Sequence, residues 1–212
     1  MRNLSRLDRW MSQLDLALRT NTPGVTQSPQ ASPAEEAGSV SLSIAESQLA
    51  AALMRVNHTG EVCAQGLYQG QALTAKTPEI REHMLSAATE ELDHLVWCEE
   101  RLDELGGQTS LLNPIFYGMS FVIGSVAGAL SNPFSLGFVA ETEAQVSKHL
   151  SSHLERLPEQ DLRSRAIVTQ MLSDEQRHRA EALGQGGAQL SGPIKTLMSL
   201  MAKVMTTTTH RI

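Results

Sequence analysis

The chain has 212 residues, a formal net charge of −6 at neutral pH and 4% aromatic residues. This length is enough for one domain with a substantial core, and the negative charge argues against a nucleic-acid-binding protein. Few aromatic residues among many Ala, Leu and Met favour helices over sheet. The two cysteines, Cys63 and Cys98, form no Cys-x-x-Cys pair. Two cysteines without a disulfide framework are typical of a protein in a reducing, cytoplasmic setting.

The N-terminal part divides into two segments that differ in composition. Residues 1–19 carry apolar side chains at helical spacing and are interrupted by charges, which predicts an amphipathic helix rather than a signal peptide. Residues 20–42 are rich in Thr, Ser, Pro and Gly, a composition typical of a flexible linker. The main domain is therefore expected to cover residues 43–212.

Helical periodicity dominates that main domain. Proline or glycine bounds each of its long periodic segments, as expected of helix ends. The predicted helices cover residues 44–76, 79–105, 134–157 and 159–183.

A stretch without charged residues runs from Leu105 to Ala140. Within it, residues 111–130 are long and apolar enough to raise the question of a transmembrane helix. Pro114, several glycines and the absence of flanking Lys or Arg favour a buried or interfacial helix instead. The amphipathic helix expected at 193–206 either packs on the domain or lies in a membrane interface, and the sequence leaves both interpretations open.

Two copies of the pattern Glu-x-x-His occur in the predicted helices. They are Glu91 with His94 and Glu175 with His178. Residues three apart lie on the same side of a helix, so each pair presents a carboxylate and an imidazole together. Such a pair suits an ion such as iron or manganese.

Two further carboxylates complete a repeated pattern. Glu61 and Glu143 lie on apolar faces of the other two helices, about 30 residues before each Glu-x-x-His, whereas Glu141 points away from that face. One Glu from each of two helices and Glu-x-x-His from two others is the arrangement of ferritin-like di-metal bundles. We therefore predict an all-α, ferritin-like four-helix bundle with additional apolar and amphipathic helices. Its six candidate metal ligands are Glu61, Glu91, His94, Glu143, Glu175 and His178.

Charge balance supports metal binding, because four buried carboxylates without cations would repel one another strongly. Glu90 and Asp174 directly precede the ligand carboxylates of the two motifs. We expect Asp174 and Glu90 to accept a hydrogen bond from a metal-bound histidine, the alternative being that both are solvent-exposed. His58 and His149 are interpreted as hydrogen-bonded structural histidines, the alternative being that they lie beside the ligands or face the substrate.

The sequence also resembles a known family. The stretches RVNHTGEVCAQGLYQGQ (55–71), EELDH (90–94), ETEAQVSKH (141–149) and DEQRH (174–178) are similar to the demethoxyubiquinone hydroxylases of ubiquinone biosynthesis. The resemblance covers residue 45 to the C-terminus and implies the same six ligands. The N-terminal helix and linker lie outside it.

The resemblance implies a di-iron monooxygenase that uses O2 to hydroxylate a polyprenylated methoxy-methyl-benzoquinol. Two Fe ions, ferrous when reduced, and an external two-electron donor would be required. The expected partners are the quinol and a membrane lipid surface, with a homo-oligomer or a biosynthetic complex left open. The expected location is peripheral, on the cytoplasmic face of the cell membrane. The alternative is a ferritin-like iron-storage or ferroxidase protein, which uses the same ligand types.

Overall fold

The structure, a computed structural model, describes residues 6–212 apart from the side chains of residues 6, 7, 9 and 10. The described residues contain helices and connecting segments without a strand. The helices are α1 (Arg6–Thr20), α2 (Ile44–Thr74), α3 (Pro78–Glu104), α4 (Asn113–Leu130), α5 (Asn132–Arg156), α6 (Leu162–Gly184) and α7 (Gly192–Thr209). The predicted all-α class is confirmed.

Local sequence determines where the long helices begin. Ser43 and Glu46 form a reciprocal capping box at the start of α2, which satisfies backbone N–H groups that have no partner within the helix. The side chains of Thr77, Ser131 and Asp161 cap α3, α5 and α6 in the same way. These caps place the observed helix ends within three residues of the predicted ones.

Helices α2, α3, α5 and α6 form a bundle whose apolar core is divided into two clusters. One cluster, which includes Met54, Leu102 and Met171, fills one end of the bundle. The other, which includes Met84, Leu136 and Ala182, fills the other end. Between the clusters along each helix lie the charged positions that the sequence singled out. The fold therefore encloses a polar layer between two apolar clusters.

Helix α4 packs lengthwise and in parallel against the outer side of α2. Glycines allow this close approach: a methyl group added at Gly124 would overlap the carbonyl of Leu67, and one at Gly66 would lie 2.6 Å from the Tyr117 carbonyl oxygen. The opposite side of α4 is exposed, although its side chains are large and apolar. Of the two predicted alternatives, a buried helix describes the inner face of α4. An interfacial helix would use its exposed apolar outer face.

The segment between α1 and α2 has no helix but contacts α3. Ser28 Oγ donates a hydrogen bond to Asp93 Oδ1 (2.6 Å) and Trp97 Nε1 donates to the Gln30 carbonyl (3.3 Å). Ala34 is buried in the apolar cluster that contains Met54. The composition of the segment between α1 and α2 did not indicate these contacts. The division into helix, linker and catalytic domain stays a prediction, and residues 1–5 of the predicted helix lie outside the described residues.

Candidate metal centre

The six predicted ligands all lie in the polar layer of the bundle. Each is at most 4% exposed. α2 contributes Glu61, α5 contributes Glu143, and α3 and α6 each contribute a Glu-x-x-His pair. Burying this many ionisable groups together is strongly unfavourable unless they are paired or bind cations.

Four of the six form one tight group. One side-chain ligand atom from each residue lies within 4.8 Å of the others, and the members are Glu61, Glu91, His94 and Glu175. His94 Nδ1 lies 2.8 Å from Glu91 Oε2 and 3.7 Å from Glu175 Oε1. Carboxylate oxygens and an imidazole nitrogen therefore converge from three helices, in a cluster that fits a metal site.

The other two predicted ligands, His178 and Glu143, lie beside the carboxylates of Glu91 and Glu175. His178 Nδ1 lies 3.1 Å from Glu91 Oε1 and 3.8 Å from Glu175 Oε2. Glu143 is hydrogen-bonded to Glu175 and also accepts a hydrogen bond from the Tyr68 hydroxyl. Glu91 and Glu175 thus lie centrally between the groups around His94 and His178. That arrangement would offer ligands to two ions, one on each side of the central carboxylates.

The pKa values show how strongly these groups interact. Burial raises the pKa of Glu61 well above its ordinary value, and the negative charges of Glu91 and Glu175 raise it further. Burial and the charge of Glu175 act in the same direction on the pKa of Glu143. Burial would also raise the pKa of Glu91, but the charge of His94 and the close contacts with both histidines lower it to about 2. Without cations the layer must therefore retain protons.

Several buried atoms in the layer have no hydrogen-bond partner. Glu91 Oε1, Glu175 Oε2 and His178 Nδ1 are fully enclosed by protein and unsatisfied. Such atoms are rare in folded proteins because each costs roughly 1–3 kcal/mol. Divalent cations would satisfy these lone pairs and neutralise four carboxylates, so the residues fit a two-metal site. Ligation itself stays a prediction.

An outer layer of carboxylates orients both histidines, and it is arranged crosswise. His94 Nε2 lies 3.2 Å from Asp174 Oδ2, and His178 Nε2 lies 3.1 Å from Glu90 Oε2. The carboxylate that precedes one motif therefore holds the histidine of the other motif. This contact leaves Nδ1 of each ring facing the interior carboxylates, where it would be free to bind a metal ion.

Arg177 supports this outer layer from the surface. Its guanidinium lies 2.8 Å from Glu90 and 3.3 Å from Asp174. Burial would raise the pKa of Asp174, but hydrogen bonds from His94 and from neighbouring side chains lower it to about 2. Asp174 is therefore ionised at neutral pH and can accept a hydrogen bond from the His94 imidazole N–H.

The structure also places residues whose roles the sequence did not identify. The sequence assigned no role to Tyr68 of α2, although its hydroxyl donates a hydrogen bond to Glu143. Its position two helical turns after Glu61 was the available signal. Glu141 points away from the layer, as predicted, and its Oε2 lies 2.9 Å from Lys195 Nζ on α7. His58 faces Asn113 Nδ2 at 3.3 Å, consistent with a structural histidine.

Comparison with known proteins agrees with this arrangement. A model of the family "Ubiquinone biosynthesis protein COQ7" matches residues 48–209. The chain belongs to this family. It is 56% identical to a 3-demethoxyubiquinol 3-hydroxylase of Pseudomonas fluorescens (strain Pf0-1), over all of this chain and 98% of that one. Similar proteins of the same name occur in Pseudomonas syringae pv. syringae (56%) and Pseudomonas aeruginosa (54%), with the same coverage.

Family membership confirms the resemblance inferred from the motifs and the ferritin-like fold. The relatives span the full length of this chain, including α1 and the segment that joins it to α2. The buried Glu and His layer is thus the candidate metal centre of an oxidoreductase family.

Proposed function

We propose that this protein hydroxylates the ring of 3-demethoxyubiquinol in ubiquinone biosynthesis, with two iron ions in the buried layer and O2 as co-substrate. The observation that carries the proposal is the convergence of Glu61, Glu91, His94 and Glu175 inside the bundle of a chain that is similar throughout to hydroxylases of that name. An iron-storage protein would use the same ligand types, but the full-length relatives favour the hydroxylase.

The residues that would hold iron fall on two sides of the central carboxylates. Glu61 and His94 lie on one side, Glu143 and His178 lie on the other, and Glu91 and Glu175 lie between them. Iron supplies the redox chemistry that activates O2, which amino-acid side chains cannot provide. One oxygen atom of O2 becomes the new ring hydroxyl and the other leaves as water. This balance requires two protons and two electrons from an external donor.

The chain's own residues prepare the site for that chemistry. The two apolar clusters exclude water from both ends of the layer and strengthen electrostatic interactions within it. Tyr68 directs one oxygen of Glu143 by a hydrogen bond. Asp174 and Glu90 hold the imidazole rings in one orientation. These contacts fix the ligand positions before substrate binds.

An anaerobic reconstitution experiment tests this function. The protein is loaded with Fe²⁺, its iron is quantified, and O2, a reductant and a demethoxyquinol are added before product analysis by mass spectrometry. We expect about two irons per chain and a product heavier by one oxygen atom. Glu91→Ala should lose iron and product together. Bound iron with rapid ferrous oxidation but no quinol product would instead support the ferroxidase alternative.

We also propose that the protein attaches peripherally to the cytoplasmic face of the cell membrane, where a quinol with a polyprenyl tail is dissolved. Among the described residues, α4 is the one helix long and apolar enough to cross a membrane by length and composition. Its inner face is held against α2, so we favour interfacial contact by its outer face. That face is a continuous apolar stripe formed by Ile115, Met119, Val122, Val126 and Leu130.

Helix α7 adds a second exposed apolar stripe. Leu197, Leu200 and Val204 recur at helical spacing and are each more than half exposed. The inner side of α7 packs with α4 residues in one apolar cluster through Ile194 and Met198, so the two helices are neighbours. Two adjacent helices that expose large apolar side chains are typical of a membrane-contacting surface.

Vesicle flotation tests the membrane proposal. Replacing Val122 and Val126 together by Asp should abolish flotation, because charges in the apolar region of a bilayer are strongly disfavoured. The matched control replaces Leu162 and Leu183, two exposed apolar residues of α6, by Asp. Equal flotation of both double variants would contradict the assignment of α4 to the membrane surface.

A further inference from the structure

A second polar cavity lies at the ends of α5 and α7, next to α2, and is separate from the metal layer. Its volume is about 280 Å³, which accommodates a small ion together with several waters, since one water occupies about 30 Å³. The lining residues are Val56, His149, His153, Arg156, Thr206, Thr207, His210 and Arg211. None of the ligand residues in the polar layer contributes to it.

The lining of this cavity is basic. It contains two arginines and three histidines and, among the described residues that line it, no carboxylate. Arg156 Nη2 is 3.4 Å from His210 Nε2. Burial lowers the pKa of His210, and the positive charges of Arg156, Arg55 and Arg211 lower it further. The residues on the cavity wall thus produce a positive potential that no lining side chain neutralises.

His153 provides an observation that is independent of this charge. The residue is 1% exposed, and its Nδ1 atom is buried without a hydrogen-bond partner. His149, whose ring centroid is 4.0 Å from that of His153, likewise has an unpartnered buried atom, Nε2. His149 is therefore not the hydrogen-bonded structural histidine that the sequence suggested. Both histidines line the cavity, so a polar ligand bound there would lie next to rings whose hydrogen-bonding capacity is unused.

The three histidines do not form a metal site. The described residues contain one cluster whose Glu, His, Asp or Cys ligand atoms lie within 4.8 Å of one another, and it is the buried layer. Two guanidinium groups beside the histidines would also repel a cation. The chemistry of the cavity therefore favours an anion.

The C-terminal ends of two helices carry partial negative charge, which opposes anion binding. This charge must be compared with the positive charge of the arginines. α5 and α7 both end at this cavity, and the last carbonyls of a helix carry about half a negative charge in total. Arg165 already donates to the Leu154 and Leu157 carbonyls at the end of α5, and backbone N–H groups cap α7. The two full positive charges of Arg156 and Arg211 exceed the partial negative charge that remains at these helix ends.

We propose that the cavity formed by His149, His153, Arg156, His210 and Arg211 is a binding site for a phosphate group. Arginine forks match phosphate oxygens in pairs, and neutral imidazoles and the Thr206 and Thr207 hydroxyls offer further donors. The phosphate belongs either to a free anion or to the headgroup of an anionic lipid. The second source is compatible with the exposed positions of Arg156 at the end of α5 and Arg211 just after α7.

Equilibrium dialysis of the full-length, metal-loaded protein with radiolabelled inorganic phosphate tests the site. The test variant combines Arg156→Gln with Arg211→Gln. The control combines Lys148→Gln with Lys203→Gln, which removes the same charge from exposed positions of α5 and α7 outside the cavity. We expect saturable binding that weakens by about tenfold or more in the test variant, because two charge-assisted contacts are lost. The control should bind like the unmodified protein.

Flotation then separates the two sources of phosphate. The same variants are mixed with vesicles of phosphatidylcholine alone and with an equimolar mixture of phosphatidylcholine and phosphatidylglycerol. A specific loss of binding to the mixed vesicles in the test variant, without binding of inorganic phosphate, supports the lipid source. Saturable binding of inorganic phosphate supports the free anion.

Three outcomes would overturn the proposal. One is the absence of both saturable phosphate binding and a test-variant effect on vesicles, which would mean that the arginines only stabilise helix ends. Another is equal weakening in the two double variants, which would indicate general surface charge. The third is phosphate binding unchanged in the test variant, which would place the anion elsewhere, for example on iron. His153→Gln provides a third variant whose metal content should be unchanged while phosphate binding falls.

Discussion

Tyr68 on α2 donates a hydrogen bond to Glu143 on α5, so a phenol joins two bundle helices within the polar layer. Both side chains are buried, at 2% and 3% exposure. Burial raises the pKa of Tyr68 well above its ordinary value, and the negative charge of Glu143 raises it further. The phenol therefore keeps its proton at physiological pH and acts as a permanent donor.

Tyr68→Phe should weaken metal binding without unfolding the bundle, because Glu143 then loses the group that orients it. Removal of such a supporting contact typically lowers metal affinity or activity by about 10–100-fold. Competition with a chelator measures the affinity. Tyr117→Phe is the matched control, since the buried Tyr117 hydroxyl has no partner to lose. Equal affinities of the two variants would show that the Tyr68 contact does not support the metal site.

Asp174→Asn should reduce metal affinity by a similar factor of about 10–100. The amide is neutral and can present its NH2 group to His94 Nε2, so it no longer favours the ring tautomer that leaves Nδ1 free for metal. Iron quantitation after dialysis gives the readout. Glu181→Gln serves for comparison because Glu181 is an exposed partner of the same Arg177. A metal content of Asp174→Asn matching that of Glu181→Gln would refute the orienting role.

His153 should make the protein sensitive to mild acid. Burial lowers the pKa of His153 to about 2, with help from the positive charges of His149, Arg156 and His210. The unfolded chain, with an ordinary pKa of 6.5, then binds more protons in the window between these values, so stability falls as the pH drops below 6.5. Between pH 7 and 5 this single group should cost about 2 kcal/mol.

Urea denaturation in phosphate-free buffer at pH 7 and pH 5 checks this expectation. His153→Gln removes the titrating group, so the variant should lose less stability than the unmodified protein over the same interval. The difference between the two pH responses is the relevant quantity, because protonation of the metal layer affects both proteins alike. Identical pH responses would show that His153 is not buried in its neutral form.

Gly124→Ala should destabilise the protein by roughly 2 kcal/mol or more, because the added methyl group would overlap the Leu67 carbonyl and force α4 away from α2. Gly118→Ala on the same helix has nothing within 4 Å of the new methyl group. It should increase stability by about 1 kcal/mol through helix propensity alone. Urea denaturation of both variants compares the two effects. Equal stabilities would mean that α4 is not held against α2 as described.

The sequence predicted the buried layer because each participating residue lies on an apolar face whose period is that of a helix. Glu61 and Glu143 were separable from Glu141 by angle alone. Helix ends followed from proline, glycine and capping residues, since these signals act over only a few positions. Local rules were therefore sufficient for the helices and for the composition of the layer.

Relationships between helices were not predictable in this way. The crosswise contacts of Asp174 with His94 and of Glu90 with His178 depend on the relative height of α3 and α6, which spacing within one helix does not specify. The same holds for the cavity beside His149, whose lining comes from α2, α5, α7 and the residues that follow α7. The contacts of residues 24–34 with α3 depend partly on backbone groups, which composition does not reveal.

The close backbone packing of α4 on α2 has a consequence for how deep the reaction takes place. Glu61 belongs to the same helix as Leu67, which Gly124 touches, so the metal layer cannot shift relative to the outer stripe of α4 without unpacking both helices. If that stripe lies at a lipid surface, metal ions held by the layer would stay at a constant depth below it, about 10–20 Å or one to two helix diameters. Substrates would then be selected partly by where their reactive ring lies along the bilayer normal.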